Sequence, residues 1–289
     1  MNKVQENNNV LDHIIFIKDN LPNKQKQLCD YILQNHKDIE MFTVKELARN
    51  ANVGTTTVLR LVKTLGYDSF FELKKQFHEI QRDYSDKWEN VQASFGGNDE
   101  DKDYKTLSNV WQEGVQLLNK SLNPQLVENF RDAMDLIANA ARINLLGLRP
   151  YKAVAIYLEL LIEEFHSNTR QLSYDSESMF ERILQFKENE VMIVFGFSPY
   201  PQRTIDAASV AYKQGIPIVL ITDYLSCPIS TFSKVILKVE TGEKYFTIMP
   251  IIALVESIVV ELGKRNSKTS IQQITNLVET LKEKKVIVD

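Results

Sequence analysis

Cysteine is scarce in this chain, and long apolar runs are missing. Only Cys29 and Cys227 occur among the 289 residues, far apart and outside any Cys-x-x-Cys spacing, which indicates reduced thiols. No uninterrupted apolar run reaches the roughly 20 residues of a membrane-spanning helix. The polar amino-terminal residues contain no apolar signal core. We therefore expect a cytoplasmic protein that neither crosses a membrane nor is exported.

Motifs for cofactor chemistry are also missing. The sequence contains no Walker loop, no nucleophile elbow, no GxGxxG and no cluster of metal ligands. We therefore expect no cofactor, neither a metal nor a nucleotide.

The composition is that of an ordinary globular protein, with 44% hydrophobic and 25% charged residues, and the length suits about two domains. The net charge of −4 is unevenly spread. Residues 1–82 hold 12 basic and 10 acidic side chains, whereas the remainder holds 22 and 28. Any polyanionic partner should therefore meet the amino-terminal part.

The two parts also differ in their apolar patterns. Helical spacing without strand-like alternation predicts an all-α domain over residues 1–82. Residues 83–107 are polar and acidic and include Gly96-Gly97, so we interpret them as a linker. Farther on, amphipathic helices alternate with short apolar strands such as VMIVFGF and IPIVLIT. This alternation predicts an α/β domain over residues 108–289, with a doubly wound parallel sheet covered by helices on both faces.

Two short helices in the first domain are joined by a tight turn. Thr43-Val-Lys-Glu46 has the pattern of a capping box, which opens the first helix. Asn52-Val53-Gly54 forms the turn, and the second helix runs from about Thr55 to Leu65. Gly66 stands where a left-handed carboxyl-terminal cap belongs. Together they predict a helix-turn-helix.

The second helix has one apolar and one polar face, and Thr56, Arg60 and Lys63 repeat at helical spacing on the polar one. Threonine hydroxyls can bond phosphates or base edges, and a helix amino end attracts phosphate. We therefore predict that this helix enters the major groove of double-stranded operator DNA. The predicted contacts are Thr55, Thr56, Thr57, Arg60 and Lys63, with Lys45 and Lys74 as weaker candidates for the phosphate backbone.

Two alternatives stay open for this segment. Thr55 can be a simple N-cap with solvated neighbours, or the helical domain can be an adaptor whose threonine face contacts protein. An adaptor would show no DNA binding, or binding that is insensitive to salt.

The segment KELARNANVGTTTVLRLVKTLGYDSFFELK resembles the helix-turn-helix of the RpiR family of bacterial transcriptional regulators. The family pattern has an Ala in the first helix, then Val-Ser, Thr-Val-x-Arg, Leu-Gly-Tyr/Phe and Phe-x-Glu-Leu-Lys. Its positions here are Ala48, Val53-Gly54, Thr57-Val58-Leu59-Arg60, Leu65-Gly66-Tyr67 and Phe70-Phe71-Glu72-Leu73-Lys74. Gly54 replaces the usual serine, which removes one candidate cap or phosphate contact.

The resemblance implies that the second domain is a sugar isomerase (SIS) domain, which usually binds a phosphosugar. In open α/β sheets, ligands bind beyond the carboxyl ends of the strands. The candidate ligand-binding residues there are Gly147, Arg149, Tyr151, Ser198, Tyr200, Arg203, Thr204 and Thr222.

The family's phosphosugar loop, Ser-x-Ser-Gly-x-Thr, is altered here to Gly196-Phe-Ser198-Pro-Tyr-Pro-Gln-Arg-Thr204. Pro199 and Pro201 lack the backbone N–H groups that a phosphate cradle would use. The effector therefore stays open between a phosphorylated sugar or related anion, another small metabolite, and none.

An enzyme is the main rival interpretation, namely a sugar-phosphate isomerase or lyase on the same fold. Such chemistry needs a positioned base. The candidates Glu159, Glu163, Glu164 and His166 lie near the end of one helix, as expected of its solvated face. Because a helix-turn-helix precedes the domain, we predict a bacterial regulator and not an enzyme. We expect a homodimer or tetramer, since one short recognition helix reads too few base pairs.

Overall fold

The computed structural model describes residues 10–95, 103–242 and 247–287. It divides into two compact units, Met1–Asn98 and Asp99–Asp289. This division falls inside the segment that the sequence predicts as a linker, and the limits 1–82 and 108–289 of the two domains stay predictions.

The first unit is helical. Its helices α1 to α5 pack around one apolar core that contains Leu28, Ile32, Leu47, Leu61, Leu73 and Phe77. The bounds of these helices are Val10–Ile17, Asn23–Gln34, Val44–Asn50, Thr55–Thr64 and Phe70–Phe95.

The last helix of this unit corrects the sequence analysis. Helix α5 continues to Phe95, so the first half of the predicted linker is helical. The segment is polar, but it has no Gly or Pro before Gly96, and polar composition alone does not end a helix. Residues 96–102 of the predicted linker lie outside the described residues.

Local signals set the geometry of α3 and α4. The capping box is present, because the Glu46 N–H donates to the Thr43 hydroxyl at 3.3 Å and the Thr43 N–H donates to the Glu46 carboxylate at 2.7 Å. Asn52 adopts φ +52° in the turn between the helices, and Gly66 adopts φ +87° after α4. Both are left-handed conformations that Asn and Gly tolerate best.

The second unit is an α/β domain. Its helices α6 to α12 span Asp103–Ser121, Pro124–Ala138, Tyr151–Glu163, Met179–Ile183, Gln202–Lys213, Met249–Arg265 and Ser267–Glu283. Its strands β1 to β5 span Arg142–Gly147, Thr169–Gln171, Glu190–Gly196, Ile218–Thr222 and Val235–Lys238. The predicted fold class is confirmed. Strand β2 was not predicted, because three residues reading Thr-Arg-Gln carry no apolar signal.

The five strands are parallel in the order β2-β1-β3-β4-β5. Helices α7, α8 and α11 cover one face of the sheet, and α9 and α10 cover the other. Gly147 of β1 pairs with Phe195, and Gly196 of β3 pairs with Thr222. The carboxyl ends of β1, β3 and β4 therefore lie side by side at one end of the sheet. The strand order changes direction there, because β2 pairs with one side of β1 and β3 with the other.

Two helices of this unit have apolar outer faces. The exposed side chains are Tyr104, Leu107, Trp111 and Val115 on α6, and Ile271, Ile274 and Val278 on α12. Within the part of the chain that the structure describes, no helix has the length and apolarity to cross a membrane.

We predict that Leu61→Ala destabilises the helix-turn-helix far more than Leu59→Ala. Leu61 is 1% exposed and Leu59 is 49% exposed on the same helix. Truncating a buried leucine costs about 2–5 kcal/mol, whereas an exposed one costs about 0.5 kcal/mol. Hydrogen exchange of the α4 amides in the full-length protein measures the difference. Equal protection in the two variants would contradict this packing.

Candidate functional site

Helix α4 buries one face and exposes the other. Val58, Leu61 and Val62 are buried. Thr55, Thr56, Arg60 and Lys63 are exposed, and Thr57 is half-buried. These side chains therefore form the predicted buried apolar face and exposed polar face of α4.

The amino end of α4 carries no side-chain cap. Its N-cap residue is Gly54, whose carbonyl accepts the Thr57 N–H at 2.9 Å. Thr55 is thus the first helical residue, and the expectation that it is an N-cap is wrong. The alternative that the threonines are simply solvated stays open. An uncapped helix end keeps its partial positive charge available for an anion.

The lysines predicted to contact DNA differ in their surroundings. Lys63 donates to the carbonyl of Asp68 at 3.0 Å and to its carboxylate at 3.3 Å, both at the protein surface. Lys45 is exposed. Lys74 is half-buried and donates to the carbonyl oxygen of Phe42 at 3.2 Å. This bond ties α5 to the segment before α3, and the phosphate contact of Lys74 stays a prediction.

A groove beside the exposed face adds one residue that the sequence analysis missed. Thr56, Leu59, Arg60, Lys63 and Thr64 line it together with Gln25 of α2. Gln25 is far from α4 in sequence, so only the packing of α2 against α4 reveals it.

In the second unit, the loops after β1 and β2 meet at the carboxyl end of the sheet. The Gly147 N–H donates to the buried Ser173 hydroxyl at 2.9 Å. A Cβ atom at Gly147 would collide with the carbonyl oxygen of Tyr151. Glycine is therefore required here, because α8 begins directly against the end of β1.

A buried carboxylate lies where the loops after β3 and β4 meet. Asp223 is 3% exposed. Its two oxygens accept the Ser198 N–H at 3.1 Å and the Tyr200 hydroxyl at 3.0 Å. The Thr222 hydroxyl stands 3.5 Å from the same carboxylate. The sequence analysis missed Asp223, although an acidic residue directly after a buried strand is a usable signal.

Tyr151, at the start of α8, packs against the residue before Ser198. Its ring stacks on that of Phe197 with 4.5 Å between centroids. Burial, followed by the negative charge of Asp223, raises the pKa of Tyr151 well above its ordinary value. The phenol therefore stays protonated, and it keeps its hydrogen-bond donor.

The remaining predicted ligand residues differ in exposure, with two buried hydroxyl side chains and two exposed arginines. Ser198 and Thr204 are buried, and the Thr204 hydroxyl oxygen has no hydrogen-bond partner among the described residues. Arg149 is exposed at φ +56°. Arg203 donates to the Ser176 carbonyl and the Glu177 carboxylate, each at 3.1 Å. These contacts tie the Arg203 guanidinium to the loop after β2, and its part in an anion pocket stays a prediction.

The four candidate bases differ in burial. Glu159 is buried and accepts from the Gln171 amide at 3.4 Å, so the expectation that it lies on the solvated face of its helix is wrong. Glu159 lies eight residues beyond Tyr151, which is roughly 12 Å along the helix axis. Burial raises the pKa of Glu159 and lowers that of His166. Glu163 accepts from the Thr169 hydroxyl at 2.8 Å, and Glu164 is exposed. Among the residues described, no group of three or more His, Cys, Asp or Glu could hold a metal ion.

Two family models match the chain and together cover most of it. Residues 8–83 match the helix-turn-helix domain of the rpiR family, and residues 136–262 match the SIS domain. The chain belongs to the RpiR family. It is a transcriptional regulator with a helix-turn-helix and a SIS domain.

The RpiR assignment agrees with the relatives found. The uncharacterized HTH-type transcriptional regulator YbbH of Bacillus subtilis is 23% identical over 76% of this chain and 75% of its own length. The HTH-type transcriptional regulator HexR of Pseudomonas aeruginosa is 22% identical over 87% of this chain and 86% of its own.

Solved structures show the same fold. The NanR protein of Vibrio vulnificus, complexed with ManNAc-6P, aligns at a TM-score of 0.58 and 19% identity, covering 97% of this chain and all of NanR. The sugar isomerase domain of an RpiR transcription factor from Sphaerobacter thermophilus aligns at 0.57 and 20% identity, covering 60% of this chain and 97% of that domain.

We predict that neither cysteine of the native RpiR protein reacts with a thiol reagent at pH 8. Burial raises the pKa of Cys29 and of Cys227 to about 12, so the thiolate fraction is on the order of one in ten thousand. Titration with a chromogenic disulfide should count no thiols in the native protein and two after unfolding. A native thiol that reacts rapidly would contradict the burial of its side chain.

Proposed function

We propose that this regulator reads operator DNA with the exposed face of α4 and senses a small sugar-derived effector at the carboxyl ends of β1, β3 and β4. It acts in the cytoplasm and catalyses no reaction. The observation that carries the proposal is the exposed face of α4, on which two threonines precede Arg60 and Lys63 at an uncapped helix end.

The chemistry of this face suits the major groove. Short threonines at the start of the helix let its backbone approach the DNA, and their hydroxyls can bond base edges or phosphates. Arg60 follows one turn later, where its planar guanidinium can bond a guanine in two places. Lys63 must exchange its exposed contacts with Asp68 for a phosphate, which costs little at the surface.

We predict that Arg60→Ala weakens operator binding by about 1–3 kcal/mol, or about 5- to 150-fold, and relaxes specificity at one base pair. A selection of random duplex DNA on the full-length protein gives the motif, and fluorescence anisotropy on that motif gives the affinity. Recovery of one motif by wild type and variant with equal affinity would contradict the docking of α4.

Arg131→Ala is the matched control for this experiment. Arg131 is exposed on α7 of the second unit, so its loss changes the net charge equally without touching the proposed interface. The control should bind the selected motif like the wild type at each salt concentration.

The position of the strand ends is the reason for proposing an effector site there. In an open parallel sheet, ligands bind outside the carboxyl ends of the strands, where the chain order reverses. Tyr151 begins α8 and Thr222 ends β4. Ser198 and Tyr200 lie in the loop after β3, and Thr204 lies in the first turn of α10. The complex of the neighbour NanR with ManNAc-6P supports a sugar derivative as the class of ligand. The helix-turn-helix that precedes this domain favours sensing over isomerase or lyase chemistry.

The apolar faces of α6 and α12 support a homodimer. Monomeric proteins rarely expose large contiguous apolar patches, and Trp111 on α6 is 67% exposed. A dimer gives two recognition helices, which can read two half-sites. An effector that prefers one arrangement of the dimer would then change operator affinity by shifting the population.

We predict that Trp111→Asp weakens dimerisation at least tenfold, because burying a charge in place of an aromatic anchor costs about 2 kcal/mol or more. Sedimentation velocity over a concentration series measures the effect. Leu184→Asp is the control, since Leu184 is equally exposed, at 66%, on a different helix end. A monomeric wild type, or a Trp111 variant that dimerises normally, would contradict the proposed interface.

A further inference from the structure

The loop that leads into α10 is hydrogen-bonded to a carboxylate of the same chain. Helix α10 has no side-chain cap at Pro201. In the loop before it, Pro199 and Pro201 have no N–H, and the Ser198 N–H points to Asp223 at 3.1 Å. A backbone donor that a bound phosphate would need is therefore already used by Asp223.

The carboxylate is a fixed part of this loop. Asp223 is 3% exposed, and Tyr200 donates to it from the loop side at 3.0 Å. Besides burial, its negative charge also contributes to the raised pKa of the Tyr151 phenol. The end of β4 thus places one carboxylate against the loop that leads into α10.

A phosphate group bound beside this carboxylate would place two anions in a poorly solvated site. Like charges in such a site repel strongly, and the repulsion is relieved only by protonation or by moving one group away. Moving Asp223 would leave the Ser198 N–H and the Tyr200 hydroxyl without this acceptor, which carries its own cost.

We propose that Asp223 replaces an effector phosphate, so that the effector of this protein is an uncharged sugar or polyol and not a sugar phosphate. The inference rests on the proposed sensing function and names the ligand class for the same site. Sugar hydroxyls donate and accept hydrogen bonds without adding charge. The buried Thr204 hydroxyl, at the start of α10, lacks a partner in the described structure and suits such a ligand.

The first test is a calorimetric titration of full-length protein with inorganic phosphate as the probe. Asp223→Ser removes the charge and opens space for phosphate. Asp223→Asn removes the charge and keeps the shape, so it covers the case in which the serine variant folds poorly. Both variants should bind phosphate at least tenfold more tightly than the wild type, since like-charge juxtaposition costs more than that factor.

Asp206→Ser is the matched control. Asp206 is an exposed carboxylate on α10 that accepts from Gln202, so the variant changes the net charge equally without opening the loop. It should bind phosphate as weakly as the wild type. The inference fails if the wild type binds phosphate as tightly as the Asp223 variants, or if neither variant gains affinity.

The second test uses release of the selected operator by paired free sugars and their 6-phosphates. Release by a free sugar supports the inference, and release by its phosphate alone overturns it. If no member releases the operator, the proposed sensing function fails, while the phosphate titration still decides what Asp223 does. The two failures are therefore distinguishable.

Discussion

A carboxylate buried at the edge of a parallel sheet must find hydrogen-bond donors, and this constraint organises the second domain. Asp223 finds them in the Ser198 N–H and the Tyr200 hydroxyl. These bonds tie the loop after β3 to the end of β4. The stacked rings of Tyr151 and Phe197 link the start of α8 to the same loop. The shape of the ligand site and its charge therefore follow from one buried group.

The helix-turn-helix obeys a different constraint, which is the division of α4 into two faces. Val58, Leu61 and Val62 hold the helix on the core, so the identity of the outer residues has little effect on folding. Thr55 and Thr56 are poor helix formers, and the packed inner face lets the helix tolerate them. The residues of the exposed face are thus not constrained by packing.

In each domain a glycine stands shortly before a helix. Gly147 leaves α8 directly against β1, and Gly54 begins α4 without a side chain. At each place a helix begins beside a residue that carries no side chain. Helix amino ends attract negative charge. The end of α4 carries no side-chain cap, whereas the loop that leads into α10 is hydrogen-bonded to Asp223.

Apolar periodicity, the capping box and the turn residues determined the helix-turn-helix, and apolar periodicity determined the parallel α/β domain, because such patterns depend only on neighbours in the chain. Sequence also carried the family resemblance. It could not show β2, whose three residues carry no apolar signal, nor that α5 runs to Phe95, because a polar segment is compatible with helix and with linker. The bonds of Arg203 to Glu177 and of Lys74 to Phe42 could not be predicted either, since they join residues distant in the chain. Only the tertiary structure brought Asp223 to Ser198, 25 residues away, because strand pairing decides which loops meet at the edge of a sheet.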